Sequence, residues 1–266
     1  MKKFNLILPG ILAFTAAGIL SAGSVPPPVP QKAEKSAPCE AGTFKPVLSG
    51  DVIVCGNKKT VWARNGQIKI SNGGGVLLTI YPYYLYKNDQ KKVDWSPFTP
   101  ALCQVKTEGA KVVWTFKKKL GDQIYDAGTQ TLEITPEGLL KVRCNITVIQ
   151  APGWQPWRKT GEFYSFLPFS RTDGAELVFN GSRKKLDSGK KVILYSGNAK
   201  KFHYVFYPGN PENVIEMNAE KPETGTTTCY PDKFNKAFRI VLAMNAQMSC
   251  TFTLDLRKGM AAPQKP

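Results

Sequence analysis

The sequence predicts an all-β fold, a large antiparallel β-sandwich. Three observations carry that expectation. No stretch sustains an apolar repeat of about 3.6 residues with helix caps at its ends. Short alternating or apolar runs recur instead along most of the chain. Gly, Asn, Asp and Pro clusters separate those runs at short intervals, as they do in sandwiches and barrels.

Taken in order, the N-terminus comes first. Lys2 and Lys3 precede an uncharged, largely apolar stretch from Phe4 to Leu20, and Ser21, Ala22, Gly23 and Ser24 follow. A basic start, an apolar centre and a small-residue zone form the pattern of a secretory leader. Residues 1–23 are therefore expected to direct export, to the outside or to the periplasm and cell envelope. Residues 24–38 are rich in Pro, Lys, Ser and Ala and are expected to form a disordered linker. Residues 39–258 are left for the β-sandwich domain, and residues 259–266 form a polar tail.

Within the domain, Val61–Arg64, Asn65-Gly66 and Gln67–Ile70 read as a hairpin, because Asn-Gly tolerates the positive φ of a tight turn. Cys103–Lys119 reads as two strands around Glu108-Gly109. Thr129–Thr135 and Leu139–Ile149 flank Pro136-Glu137-Gly138, and alternation sets Val142, Cys144, Ile146 and Val148 on a dry face. Ala175–Phe179 is followed by Asn180-Gly181, a second tight-turn pair. Val192–Tyr195, Phe202–Tyr207, Asn213–Met217, Ala237–Met244 and Cys250–Leu256 complete the strands.

The stretches TVWARNGQIKISNGGGVLLTIYPYY, GTQTLEITPEGLLKVRCNITV, NKAFRIVLAMN and CTFTLDL together resemble the galactose mutarotase-like β-supersandwich domain. That resemblance implies a sandwich of the supersandwich type and brings carbohydrate contact with it. Active mutarotases use two histidines and a glutamate, whereas this chain holds one histidine, His203. Epimerase chemistry by that mechanism is excluded.

Charge points the same way. Lys and Arg number 36 against 20 Asp and Glu, a formal net charge of +16. Such a surface attracts polyanions, among which an exported chain favours anionic glycans, envelope polymers or acidic lipid, and nucleic acid least. Six cysteines, an even count in an exported chain, favour disulfides; Cys144 and Cys250, inside apolar strand patterns, also read as ordinary buried thiols, and none stands at CxxC spacing. No metal site and no cofactor is implied.

The candidate carbohydrate-binding residues are aromatic. Trp154 and Trp157 sit in a Pro/Gly-rich stretch followed by Arg158 and Lys159, and Tyr83, Tyr84 and Trp95 lie in or after IYPYYLY. Aromatic faces pack against the C–H faces of sugar rings while their polar tips tolerate water. Asp94, Asp126, Glu133, Asp173, Glu176 and Glu216 are the carboxylates available for acid–base work, and spacing selects no pair among them. Catalytic residues are thus undefined. The reading is a secreted, non-catalytic carbohydrate-binding protein favouring anionic glycans. A glycan-active enzyme or an interaction protein of the envelope are the alternatives.

Overall fold

The computed structural model describes residues 45–156, 162–191, 194–244 and 248–257. The expected leader, linker and tail lie outside them, as do Cys39, Trp157, Arg158 and Lys159. All described residues belong to one compact unit, Glu40–Pro266.

The fold is all-β. Its strands are β1 (Val47–Ser49), β2 (Val52–Cys55), β3 (Lys58–Trp62), β4 (Ile68–Asn72), β5 (Gly75–Tyr83), β6 (Tyr86–Asn88), β7 (Val93–Asp94), β8 (Gln104–Glu108), β9 (Lys111–Leu120) and β10 (Gln123–Ile134). They continue with β11 (Leu140–Ile146), β12 (Trp154–Pro156), β13 (Glu162–Pro168), β14 (Glu176–Phe179), β15 (Ser182–Lys185), β16 (Leu194–Phe206), β17 (Ile215–Asp232), β18 (Ala237–Ala243) and β19 (Met248–Asp255). Helical structure among the described residues is limited to one 3-10 turn, Pro100–Leu102, and one α turn, Phe169–Thr172.

One antiparallel sheet runs in the order β1-β2-β3-β4-β5-β13-β18-β17-β19-β11-β10-β9-β8, with β14, β15 and β16 attached beside β17. It curls so that its two halves face each other across a single core. Trp62 of β3 meets Trp114 of β9 edge-on at 6.3 Å, and Phe163 of β13 meets Phe252 of β19 at 5.2 Å. The Trp114 indole donates a 2.9 Å hydrogen bond to the Ala63 carbonyl on the opposite half. The result is sandwich-like, with strand alternation deciding which residues enter the core: Leu140, Val142, Cys144 and Ile146 are buried while Arg143 and Asn145 are exposed.

Turn chemistry fixes several registers. Asn180 and Gly181 both take positive φ, 44° and 80°, and join β14 to β15 in two residues. The β3–β4 connection departs from the expected tight Asn-Gly turn. Only Gly66 has positive φ there, and the loop closes instead through Ala63 N–H to Gln67 O at 2.9 Å. The reason is tertiary: a Cβ at Gly66 would lie 2.7 Å from Phe116, and the Gln130 amide donates to the Gly66 carbonyl at 3.0 Å. The loop is moulded on the other half of the sheet.

The expected disulfides are corrected. No disulfide occurs among the described residues, where Cys55, Cys103, Cys144, Cys229 and Cys250 are all buried thiols. They lie on inward-facing positions and pack as small apolar side chains. Cys144 and Cys250 stand opposite one another in the β11–β19 register and remain thiols. Burial pushes the Cys229 and Cys250 thiols up to about 12, so neither ionises near neutral pH.

Candidate functional site

Four central strands, β5, β13, β18 and β17, lie side by side. Their inward residues, among them Ile80, Phe163, Leu167, Phe238, Ile240 and Cys229, are core. Alternation therefore sends the intervening residues to the opposite face. These are Tyr81 and Tyr83 on β5, Glu162, Tyr164 and Phe166 on β13, Arg239 on β18, and Tyr230 and Asp232 on β17. The register sets Tyr164 opposite Tyr81, Phe166 opposite Arg239, and Arg239 opposite Tyr230. Residues far apart in the chain thus form one aromatic floor.

The floor is tightly organised. Tyr83 stacks on Tyr164 with centroids 4.4 Å apart, and Tyr81 lies 6.2 Å from Tyr83. The Arg239 guanidinium sits 4.6 Å from the Tyr164 ring centroid and 5.4 Å from that of Phe166. Such placement combines charge with planar contact. Its Nη atoms are committed to the Asp232 carboxylate and, at 3.1 Å, to the Tyr230 hydroxyl. The buried Nε has no hydrogen-bond partner among the described residues.

Walls rise from the floor on three connections. Gln67 comes from the β3–β4 loop just described. Trp95 follows β7 and is 67% exposed. Its neighbours are pinned from below by Lys118, whose side chain is 1% exposed, pairs with Asp94 at 2.8 Å and donates to the Ser96 carbonyl. Phe234, 94% exposed, stands at the tip of the β17–β18 turn. Asp232 Oδ1 accepts the backbone N–H groups of Phe234 and Asn235, each at 3.1 Å, and Oδ2 accepts the Asn235 amide at 2.7 Å. Burial works to raise the Asp232 carboxyl, but the Asn235 and Arg239 bonds outweigh it and hold the group below its usual value.

Floor and walls enclose a cavity of about 580 Å³, lined by seven aromatic side chains together with Gln67, Leu85, Glu162, Asn235 and Arg239. That size and mixture of apolar surface with a few polar groups is typical of small-ligand sites. Of the residues expected from sequence, Tyr83, Tyr84 and Trp95 line it. Tyr84 contributes from a buried position, its ring packed edge-on against Tyr86 at 5.2 Å. Trp154 lies elsewhere: β12 pairs with β6, and the indole is half-buried against the core. Its Pro/Gly-rich surroundings read as a loop, yet they supply a short strand. Tyr81 lies in the aromatic run IYPYYLY singled out from sequence, whereas sequence reasoning missed Glu162, Tyr164, Phe166, Phe234 and Arg239. Two signals were present, the alternation of EFYSFLP and a lone arginine inside the apolar run AFRIVLA.

The cavity offers stacking faces together with hydrogen-bond donors and acceptors. The Tyr164 hydroxyl donates to Glu162 Oε2 at 2.5 Å, and burial first, then this bond, raises its pKa, so it stays a donor and is no base at neutral pH. Glu162 is the one carboxylate among the described residues that line the cavity, whereas hydrolysis of a glycosidic bond ordinarily takes two. The carboxylates named from sequence are engaged elsewhere. Asp94 pairs with Lys118, Asp126 with Lys117 at 2.6 Å, Glu133 with Arg143 at 2.7 Å, Glu176 with Arg183, and Glu216 with His203 at 3.0 Å. Asp173 accepts from the Ser188 hydroxyl at 2.7 Å. No group of three or more potential metal ligands occurs among the described residues.

No protein-family profile matches the chain, and no curated protein matches it at a significant level.

Proposed function

We propose that this chain is an exported carbohydrate-binding protein that holds a sugar in the aromatic cavity and performs no chemistry on it. The observation that carries this reading is the cavity itself: stacked and tilted tyrosines beneath an exposed indole, with amide, carboxyl and guanidinium groups at the edges. Pyranose rings have an apolar C–H face and a rim of hydroxyls, which such a surface matches on both counts. The expected kinship with supersandwich domains, found in carbohydrate enzymes and their accessory modules, and the leader-like N-terminus agree with it.

The test is calorimetric titration of the purified protein with a panel of neutral and acidic oligosaccharides. Loss of one stacked face costs about 1 kcal/mol, so Trp95→Ala and Tyr83→Ala should each weaken binding roughly fivefold. Trp154→Ala should leave it unchanged. Binding that survives Trp95→Ala and Tyr83→Ala together, or that Trp154→Ala alone abolishes, would refute the assignment of the cavity.

A further inference from the structure

A second hollow, of about 490 Å³, shares Arg239 with the aromatic cavity. Its lining has the opposite character. Among the described residues, Lys190, Lys191, Lys233 and Arg239 contribute four cations against one carboxylate, Asp232. That carboxylate is already bonded to Arg239 and to the backbone and side chain of the turn that carries Phe234. Lys190 makes only a loose pair with Asp187, 3.8 Å away, and no ion pair engages Lys191 or Lys233 among the described residues. The turn from Asp232 to Lys236 separates the two spaces: Phe234 and Asn235 line the aromatic side, Asp232 and Lys233 the basic side.

We infer that the basic hollow is an anion subsite, which takes the carboxylate or sulfate of an acidic sugar linked to the one stacked in the cavity. The inference rests on the cavity being a sugar site. It turns a general excess of positive charge into a located one. Arg239 joins the two subsites, because its guanidinium stands over Tyr164 and Phe166 and the residue also lines the lysines' space. A polymer of uniform chemistry would thus be read twice, by shape in one space and by charge in the next. Exposed lysines contribute modestly and are screened within about 8 Å at physiological salt, so the subsite acts as a selector and the cavity supplies most of the affinity.

The experiment compares three oligosaccharides by calorimetry at low and high salt: an oligouronate, the same chain with its carboxyls reduced to alcohols, and a sulfated neutral chain. Wild type, Trp95→Ala and Lys191→Ala/Lys233→Ala are measured, with circular dichroism confirming that each variant is folded. At low salt wild type should bind an acidic chain about three- to tenfold more tightly than the neutral one. The double lysine variant should lose that margin and keep neutral binding, whereas Trp95→Ala should weaken both. Which acidic chain gains the margin identifies carboxylate or sulfate as the anion. If the acidic chains show no margin while Trp95→Ala still weakens neutral binding, the subsite is overturned and the cavity stands. If the margin persists in the double lysine variant, the anion is held elsewhere and the inference also fails. If no glycan responds to Trp95→Ala, the cavity reading itself falls, and the subsite falls with it.

Discussion

Replacing Lys118 by Met tests whether a buried cation holds the wall of the site in place. The methionine keeps the apolar stem and removes the ammonium. In the native protein that ammonium is enclosed, pairs with Asp94 at 2.8 Å, donates to the Ser96 carbonyl, and lies 5.9 Å from the Tyr86 ring centroid. Breaking a fully buried pair costs about 3–5 kcal/mol. Asp94 is 31% exposed, so water recovers part of its solvation and about 2 kcal/mol is the better figure. Leaving the Ser96 carbonyl without its donor adds about 1 kcal/mol. The expected loss is therefore about 3 kcal/mol, or roughly 6–12 °C in Tm for a domain of this size. Urea unfolding followed by circular dichroism measures it. Trp95 lies between the two released residues, so sugar affinity should fall as well, in a protein that is still folded at room temperature. A double-mutant cycle with Asp94→Asn isolates the pair. A loss under about 1 kcal/mol with unchanged affinity would show that Lys118 does not organise this wall.

Three further outcomes follow from geometry already described. Gly128 sits at the β9–β10 bulge with φ 113°, and a Cβ there would collide with the Asn145 carbonyl and lie 2.8 Å from Ile146 Cα. Gly128→Ala should therefore cost about 3 kcal/mol or more, and a change below about 1 kcal/mol in chemical denaturation would contradict the close approach. Asp232 has a folded pKa below its unfolded value of about 3.9, so its contribution is complete above that pH and lost as pH falls through the folded value. The stability difference between wild type and Asp232→Asn should shrink below about pH 4; a difference constant from pH 2 to pH 6 would refute this, where both pH limits are set roughly around the carboxylate range. Thiol titration of non-reduced protein should find at least five reactive thiols in denaturant and almost none in the native state, since the five described cysteines are buried thiols; four or fewer in denaturant would restore a disulfide.

The strand content was legible where one face of a strand is dry and its turn is chemically marked. Leu140–Ile146 alternates cleanly, and Asn180-Gly181 takes the two positive φ angles that its residues allow. The 18-residue strand β17 was legible only at its start. Pro222, Gly225 and a run of threonines hide the rest, and one inward position is a lysine, Lys221, whose ammonium is satisfied by the Ala243 carbonyl at 2.7 Å. Half of the site was out of reach for a different reason. Its floor joins β5 to β13 and β13 to β18, pairings that skip over long stretches of chain, so the company Tyr81 keeps with Tyr164 and Arg239 exists only after folding. Tyr83 and Trp95 could be named because aromatic character is visible residue by residue; Trp154 shows the cost of that criterion, since composition does not distinguish a stacking face from a packing one.

The floor and the walls differ in how freely they can change over evolutionary time. Each floor residue alternates with a core residue on the same strand, so Tyr164 lies between Phe163 and Ser165, both buried, and drift in that strand endangers the fold. The wall residues Trp95, Phe234 and Gln67 project from connections, each anchored by a group outside the aromatic cavity: Lys118, Asp232 and, through the Gly66 carbonyl, Gln130. Exchange of the projecting side chain leaves its anchor intact. The molecule therefore separates a floor tied to the core from walls on separately anchored connections, so exchanges at Trp95, Phe234 and Gln67 that keep Lys118, Asp232 and Gln130 should leave the fold intact.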